Sequence, residues 1–260
     1  MTSGGPDWLK EGTGSHPPQF DWSVAVEAPL VALQLARETG DILAADAVGG
    51  LYHIDRQGRL ANVTRGPSPV RAIGWSDTGS GGIALVGDDK LYYFDHDLTF
   101  VGCLAHSEPI LAIALESHGH YAAAALASGN TVIYDSNHRF VRKFGTLQPL
   151  AAMEFLVDRP ALMGVAEYGL LCCHDFNGEQ EWQTRLWSNV SEMCVSSDGQ
   201  TALMGASSGH PGQIHIVYVS GAVKSVTPRI DLKVWKGFGS FRDAQALAAP
   251  SSEPGANPPR

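Results

Sequence analysis

The sequence predicts an all-β repeat protein of about five four-stranded units, and two periodicities and one alternation predict it. Pro29, Pro69, Pro109 and Pro149 stand at intervals of 40 residues, and so do Asp55, Asp95, Asp135 and Asp175. Each proline opens an apolar run and each aspartate closes another, so a supersecondary unit of about forty residues is repeated. Within a unit the apolar runs are short and are bounded by Gly, Asp, Asn and Ser, the pattern of strands joined by turns.

The first run of each unit follows the proline, at 30–35, 70–75, 110–115 and 150–155, and follows Asn189 at 190–195. Its third position holds Ala32, Ala72, Ala112 and Ala152, then Glu192, and its fourth holds Leu33, Ile73, Ile113, Met153 and Met193. Small residues on one face and large ones on the other suit an inner strand crowded near an axis. A tight turn follows, where Gly40, Gly79, Gly119 and Gly199 supply backbone angles closed to other residues. The second run lies at 42–45, 83–86, 121–126, 162–166 and 202–206. Residues 121–126 are alanine-rich and would favour helix alone, but the repeat register assigns them to a strand. The third run, at 51–54, 91–94, 131–134, 171–174 and 214–217, is apolar on both faces, which predicts a sheet covered on both sides.

The aspartates Asp55, Asp95, Asp135 and Asp175 start the turn into a fourth strand and are expected to be structural. Asp55 and Asp175 can accept backbone N–H groups, with Gly58 and Gly178 following where a positive φ is needed. In the second and third units Asp97 and Asn137 are assigned that capping role. The fifth unit departs, with an insertion at 207–213 and Tyr218-Val-Ser-Gly221 in place of the aspartate turn.

Three segments follow from composition. Residues 1–19, rich in Gly and Pro, are expected to be disordered; 20–235 form the repeat domain; 236–260 read as a mostly disordered tail. Residues 20–26 alternate at period two and match 181–187, so they read as the last strand of a unit. They are expected to close the array by pairing with the fifth unit. In the alternative, 222–226 complete the fifth unit, and 20–26 and the alternating Ile230, Leu232 and Val234 are left to a thin sixth unit.

The stretch Leu126-Ala-Ser-Gly-Asn-Thr-Val-Ile-Tyr134-Asp135 resembles the WD40 ending, in which a strand closes on Trp-Asp. Gly169-Leu-Leu-Cys-Cys-His-Asp175-Phe-Asn-Gly178-Glu-Gln-Glu-Trp182 is similar to the repeat of quinoprotein-type propellers. The resemblance covers about residues 20–226 and implies a β-propeller of about five blades. The Gly-His dipeptide of WD40 units is missing before every first strand, and Tyr, Phe, His or Ile stands where the Trp would be. The resemblance implies a fold and no activity, because propellers host many unrelated functions.

Composition narrows the partners. With 260 residues and a net charge of −9 the chain lacks the basic footprint of a nucleic-acid binder. No run is long and apolar enough for a membrane span, and residues 1–20 carry no secretory signal, so the expected location is the cytoplasm. Four cysteines in this length form no disulfide framework. His118 and His120 have metal-ligand spacing but fall in a turn, and Cys172-Cys173 point to opposite faces of a strand, so packing explains both pairs better than a metal or redox site. No cofactor is expected.

The function expected is a non-catalytic protein-interaction scaffold, working through the loops between second and third strands and between fourth and first strands. These carry Asp46, Asp88, Asp89, Glu167, Tyr168, His106, Arg185 and Trp187, and loops on a rigid frame are where function concentrates. The acidic members point to a partner protein with a basic patch. Two other classes stay open. A quinoprotein-like enzyme would bring metal-binding carboxylates, and a sugar or small-ligand sensor would repeat an aromatic pocket that Trp187 does not repeat.

Overall fold

The computed structural model describes residues 21–67, 69–186, 190–196, 199–206, 214–218 and 223–226. Their regular elements are all strands, apart from one 3-10 turn at Glu167–Gly169. Among the described residues no helix is long and apolar enough to cross a membrane.

The first sheet contains β1 (Leu30–Leu35), β2 (Ile42–Asp46), β3 (Gly50–Ile54) and β4 (Leu60–Arg65). The second contains β5 (Val70–Trp75), β6 (Gly81–Val86), β7 (Lys90–Asp95) and β8 (Phe100–Ala105). The third contains β9 (Ile110–Leu115), β10 (Tyr121–Leu126), β11 (Asn130–Asp135) and β12 (Phe140–Gly145). The fourth contains β13 (Leu150–Phe155), β14 (Ala161–Ala166), β15 (Leu170–Asp175) and β16 (Gln180–Arg185). The fifth contains β17 (Val190–Val195), β18 (Thr201–Ala206), β19 (Ile214–Tyr218) and β20 (Val223–Val226). Each sheet is an antiparallel meander with its strands in chain order.

The first strands share a device. The ladder shifts register between Leu30 and Ala32, Val70 and Ala72, Leu150 and Ala152, and Val190 and Glu192. A bulge of this kind re-aims the strand, and it lets positions one, four and six of the strand be apolar and buried together, as Val70, Ile73 and Trp75 are.

Packing follows chain order. Leu43 and Leu51 of the first sheet meet Ile73, Trp75 and Phe94 of the second. Ile83, Leu85 and Tyr93 of the second meet Ala122, Ala124 and Val132 of the third. Ala123, Ala125 and Ile133 of the third meet Leu150, Leu162 and Cys172 of the fourth, and Met163, Leu171 and Cys173 of the fourth meet Val190, Val195 and Ala202 of the fifth. The alanine run of β10 is thereby explained: its residues point alternately into two inter-sheet cores, and small side chains let both neighbours approach. β1 touches β5, β5 touches β9, β9 touches β13, and β13 touches β17. All five of these first strands line one cavity of about 370 Å³.

Two expectations are corrected. Residues 21–26 are not a strand, and Phe20 lies outside the described residues. The fifth sheet takes its fourth strand from β20 instead, pairing Ile214 with Val226 and His215 with Ser225. The N-terminal stretch lies against the first sheet, where Val24 and Val26 pack on Ala44, Tyr52 and Ile54. The second correction concerns the turns: Asp95 and Asp135, not Asp97 and Asn137, cap them. Segments 1–19, 207–213 and 227–260 lie outside the described residues.

Candidate functional site

The loops gather at two ends, and the hydrogen bonding explains each. At one end the repeated aspartate organises the turn from third to fourth strand. Asp55 Oδ1 accepts the N–H of Gln57 and of Arg59, both at 2.9 Å. Asp95 does the same to Asp97 at 3.0 Å and Thr99 at 2.8 Å, and Asp135 to Asn137 and Arg139, both at 2.9 Å. Asp175 Oδ1 takes Glu179 N at 2.8 Å, with Asn177 Nδ2 on Oδ2 at 3.1 Å. The Asp55 and Asp175 carboxyls are held below the ordinary carboxylate range chiefly by the Arg59 and Glu179 amides. Gly58 and Gly178 occupy the left-handed position of this turn, and Leu98 and His138 occupy it in the second and third units.

At the other end the two loop sets expected to carry function are tied together by one repeated backbone bond. Gly66 N donates to Gly49 O, His106 N to Asp89 O, Thr146 N to Gly129 O and Leu186 N to Gly169 O, all at 2.8 or 2.9 Å. Every fourth-to-first loop is thus fastened to the second-to-third loop of the sheet it leaves.

The candidate residues divide on this end. Asp88 and Asp89 stand with His106 at the second sheet; Glu167 and Tyr168 stand with Arg185 at the fourth, where Leu170 pairs with Arg185. Glu167, Tyr168 and Arg185 are exposed, Asp89 and His106 half-buried. Burial lowers the His106 pKa, against the pull of Glu108 and Asp89, and its Nε2 lies 3.4 Å from Tyr134 Oη. Trp187 lies outside the described residues.

Asp46 is a correction. It is fully buried and is not part of a surface. Its Oδ1 accepts Val48 N at 3.0 Å and Gly50 N at 2.7 Å, and Oδ2 accepts Tyr52 Oη at 2.7 Å. Burial pushes its pKa up, but Tyr52 and the loop amides outweigh it and leave the carboxyl lowered. Asp88 is exposed but already paired, with Arg71 Nη1 2.5 Å from its Oδ1. The acidic patch is smaller than its sequence suggests.

Tyr168 is the residue the geometry singles out. It has φ 57° and ψ 27°, a left-handed conformation that costs a non-glycine residue about 1 kcal/mol or more. Its side chain is 67% exposed, and among the described residues it makes no hydrogen bond or ring contact. Leu150 pairs with Ala166, so the loop entering β13 and the turn leaving β14 leave the fourth sheet at the same end. That entering loop carries Leu147, 69% exposed. Sequence reasoning missed Leu147, whose only signal was an apolar residue inside a polar connector.

Sequence reasoning also missed a polar cluster at the central cavity. Arg37 follows β1, and its Nε and Nη2 hold Asp77 Oδ1 and Oδ2 at 2.9 and 2.7 Å. Its Nη1 reaches Val195 O at 3.2 Å, and Val195 N donates to Glu154 Oε2 at 2.6 Å. Arg37 and Asp77 hold the same repeat position with opposite charge, which was the available signal. Elsewhere the chemistry is local. Glu116 Oε2 accepts the amides of His118 and His120, both at 3.1 Å, and so caps its turn. Cys172 and Cys173 face different cores, and burial pushes each thiol up to about 12. Among the described residues no three His, Cys, Asp or Glu side chains are placed to hold a metal ion.

No protein-family model matches this chain, and no curated protein matches it.

Proposed function

We propose that this chain is a divergent WD40-like β-propeller that works without catalysis, holding a partner protein against the end built from its second-to-third and fourth-to-first loops. The observation that carries the reading is the exposed pair Tyr168 and Leu147 at one end of the fourth sheet. Aromatic anchors dominate the energetics of protein interfaces, and backbone strain at an exposed side chain is retained where that side chain is used. The repeated backbone bonds between the loops support it further, because a rigidly held surface loses less entropy on binding. With Asp46 buried and Asp88 paired, the contact is expected to be mainly apolar, with Asp89 and Glu167 at its rim.

The test begins with a partner recovered by cross-linking to the full chain and identified. Its affinity is then measured for Tyr168→Ala and Leu147→Asp, beside His120→Ala at the opposite end. A loss of tenfold or more in the first two is expected, on the order of the 2 kcal/mol of an interface anchor, with His120→Ala unchanged. Equal affinities for all three would overturn the reading.

A further inference from the structure

The five first strands meet at one cavity, and their fifth positions set its chemistry. Those positions hold Gln34, Gly74, Ala114, Glu154 and Cys194, so one carboxyl stands among uncharged neighbours. Ile113, Leu115, Met153, Phe155 and Met193 give the cavity apolar walls. At about 370 Å³ it lies at the small end of ligand pockets, which run roughly 300–1,000 Å³. A space of this size admits a small molecule rather than a folded partner. It lies toward the strand ends that lead into Arg37 and Asp77, away from the end that carries Tyr168.

Among the described residues three charged side chains line the cavity, and they do not balance. Arg37 is fully committed to the protein. Its Nε and Nη2 hold Asp77 Oδ1 and Oδ2 at 2.9 and 2.7 Å, and its Nη1 donates to Val195 O at 3.2 Å. That pair is neutral, and Glu154 is left over. Its Oε2 accepts Val195 N at 2.6 Å, while among the described residues its Oε1 has no hydrogen-bond partner. Burial pushes the Glu154 carboxyl up to about 7, with the Val195 amide and Arg37 opposing and Asp77 reinforcing. Cys194 of β17 is the other ionisable group facing it, and β9 brings only Ile113, Ala114 and Leu115 to the cavity. Glu154 keeps its proton because no free positive charge reaches it.

We infer that this cavity binds a small organic cation, a primary ammonium on a short aliphatic chain, which donates to Glu154 Oε1 and lays its chain along the apolar wall. The other classes fit less well. An anion would meet Asp77 and Glu154 with every arm of Arg37 already taken. An inorganic cation needs several oxygen ligands, and among the described residues no three His, Cys, Asp or Glu side chains are placed to hold one. An aliphatic ammonium asks for one charged acceptor and apolar surface for its stem, the combination a lysine side chain uses. Its ion pair with Glu154 displaces a proton: the carboxyl releases it to solvent, and the ammonium keeps its own. The inference stands whether or not the loop end binds a partner.

Calorimetric titration of n-butylammonium chloride into the full chain tests it. Saturable, sub-millimolar binding is expected at about pH 8. It should weaken at least tenfold by about pH 5.5, where the proton competes for the same carboxyl. At the acid end close to one proton should be released per amine bound, read from titrations in two buffers of different ionisation enthalpy. n-Butanol, the same chain without the charge, should not bind. Glu154→Gln keeps an acceptor for Val195 N and should lose tenfold or more in affinity at about pH 8, and the pH dependence with it. The proposal is overturned by the absence of saturable binding, by equal affinity at the two pH values, or by butanol binding as tightly. A folded Glu154→Gln protein that binds the amine like the native chain overturns it too. Should that variant fail to fold, the pH dependence and the proton count of the native chain decide: an amine bound with neither sits somewhere other than Glu154.

Discussion

Arg37 and Val195, 158 residues apart, are joined across the seam between the first and fifth sheets by Nη1 donating to a backbone carbonyl at 3.2 Å. The rest of the guanidinium forks onto Asp77 of the second sheet, and the Val195 amide on the same residue is held by Glu154 of the fourth. One backbone unit is therefore gripped from two sides, and four of the five sheets are tied together beside the cavity.

Arg37→Lys is expected to destabilise the protein nearly as much as Arg37→Ala. An ammonium cannot make the two-pronged contact with Asp77 and reach Val195 at once, so Asp77, buried at 8% exposure, loses the fork in either variant. A buried group left unsatisfied costs about 1–3 kcal/mol. Urea unfolding of both variants checks this, and a lysine variant as stable as the native chain would show that the fork is dispensable.

The same cluster makes stability depend on pH. Burial pushes the Glu154 carboxyl from an ordinary 4.5 up to about 7, with the Val195 amide and Arg37 opposing and Asp77 reinforcing. Arg37, Asp77 and Cys194 are the ionisable groups that face it. Between about 4.5 and about 7 the folded chain keeps a proton at Glu154 that the unfolded chain has released. Stability from this group is therefore greatest at the acid end of that window and falls as pH rises through it. Glu154→Gln keeps an acceptor for Val195 and has no charge to bury, so its melting temperature should fall less between those two pH values. Parallel profiles for the two proteins would remove Glu154 from the account.

The turn aspartates are expected to act on stability alone. Asp95→Ala and Asp135→Ala each delete two side chain-to-amide bonds, a loss of about 1–2 kcal/mol. Asp95→Asn, which can still accept both amides, should recover most of it. Thermal unfolding of the three variants, read beside partner affinity, separates the roles: unchanged stability with lost affinity would make these residues a binding site.

The forty-residue period was legible because each unit writes its strands and turns with local chemistry: a proline, an apolar run, a glycine, an aspartate that caps its own turn. What was not legible depended on partners far away in the chain. Residues 21–26 alternate as a strand should, yet β20 holds the edge they were expected to pair with, and Val24 and Val26 find the outer face of the first sheet. Asp46 reads as a surface acid because nothing local says that Tyr52 will fold back onto it. Glu154 sits in a register position otherwise held by small or neutral residues, and its contact with Arg37 through Val195 exists only once the fifth sheet comes round to the first.

Among the described residues three other than glycine adopt positive φ, and they should respond to glycine in opposite ways. Leu98 is buried at 1% and His138 packs tilted against Tyr93 with ring centroids 4.1 Å apart. For both, packing outweighs the backbone cost, so Leu98→Gly and His138→Gly should lower stability, Leu98 by more because its whole side chain leaves the second sheet's core. Tyr168 has no such compensation: its ring is exposed, and the strain of φ 57° is unrelieved by any contact. Tyr168→Gly should leave stability unchanged or raise it by up to about 1 kcal/mol, while partner affinity falls as it does for Tyr168→Ala. Equilibrium unfolding and binding measured on the same preparations decide the matter. A Tyr168→Gly protein that is both less stable and unaltered in binding would mean that the tyrosine serves the fold, and the loop end would lose its strongest claim to be the site.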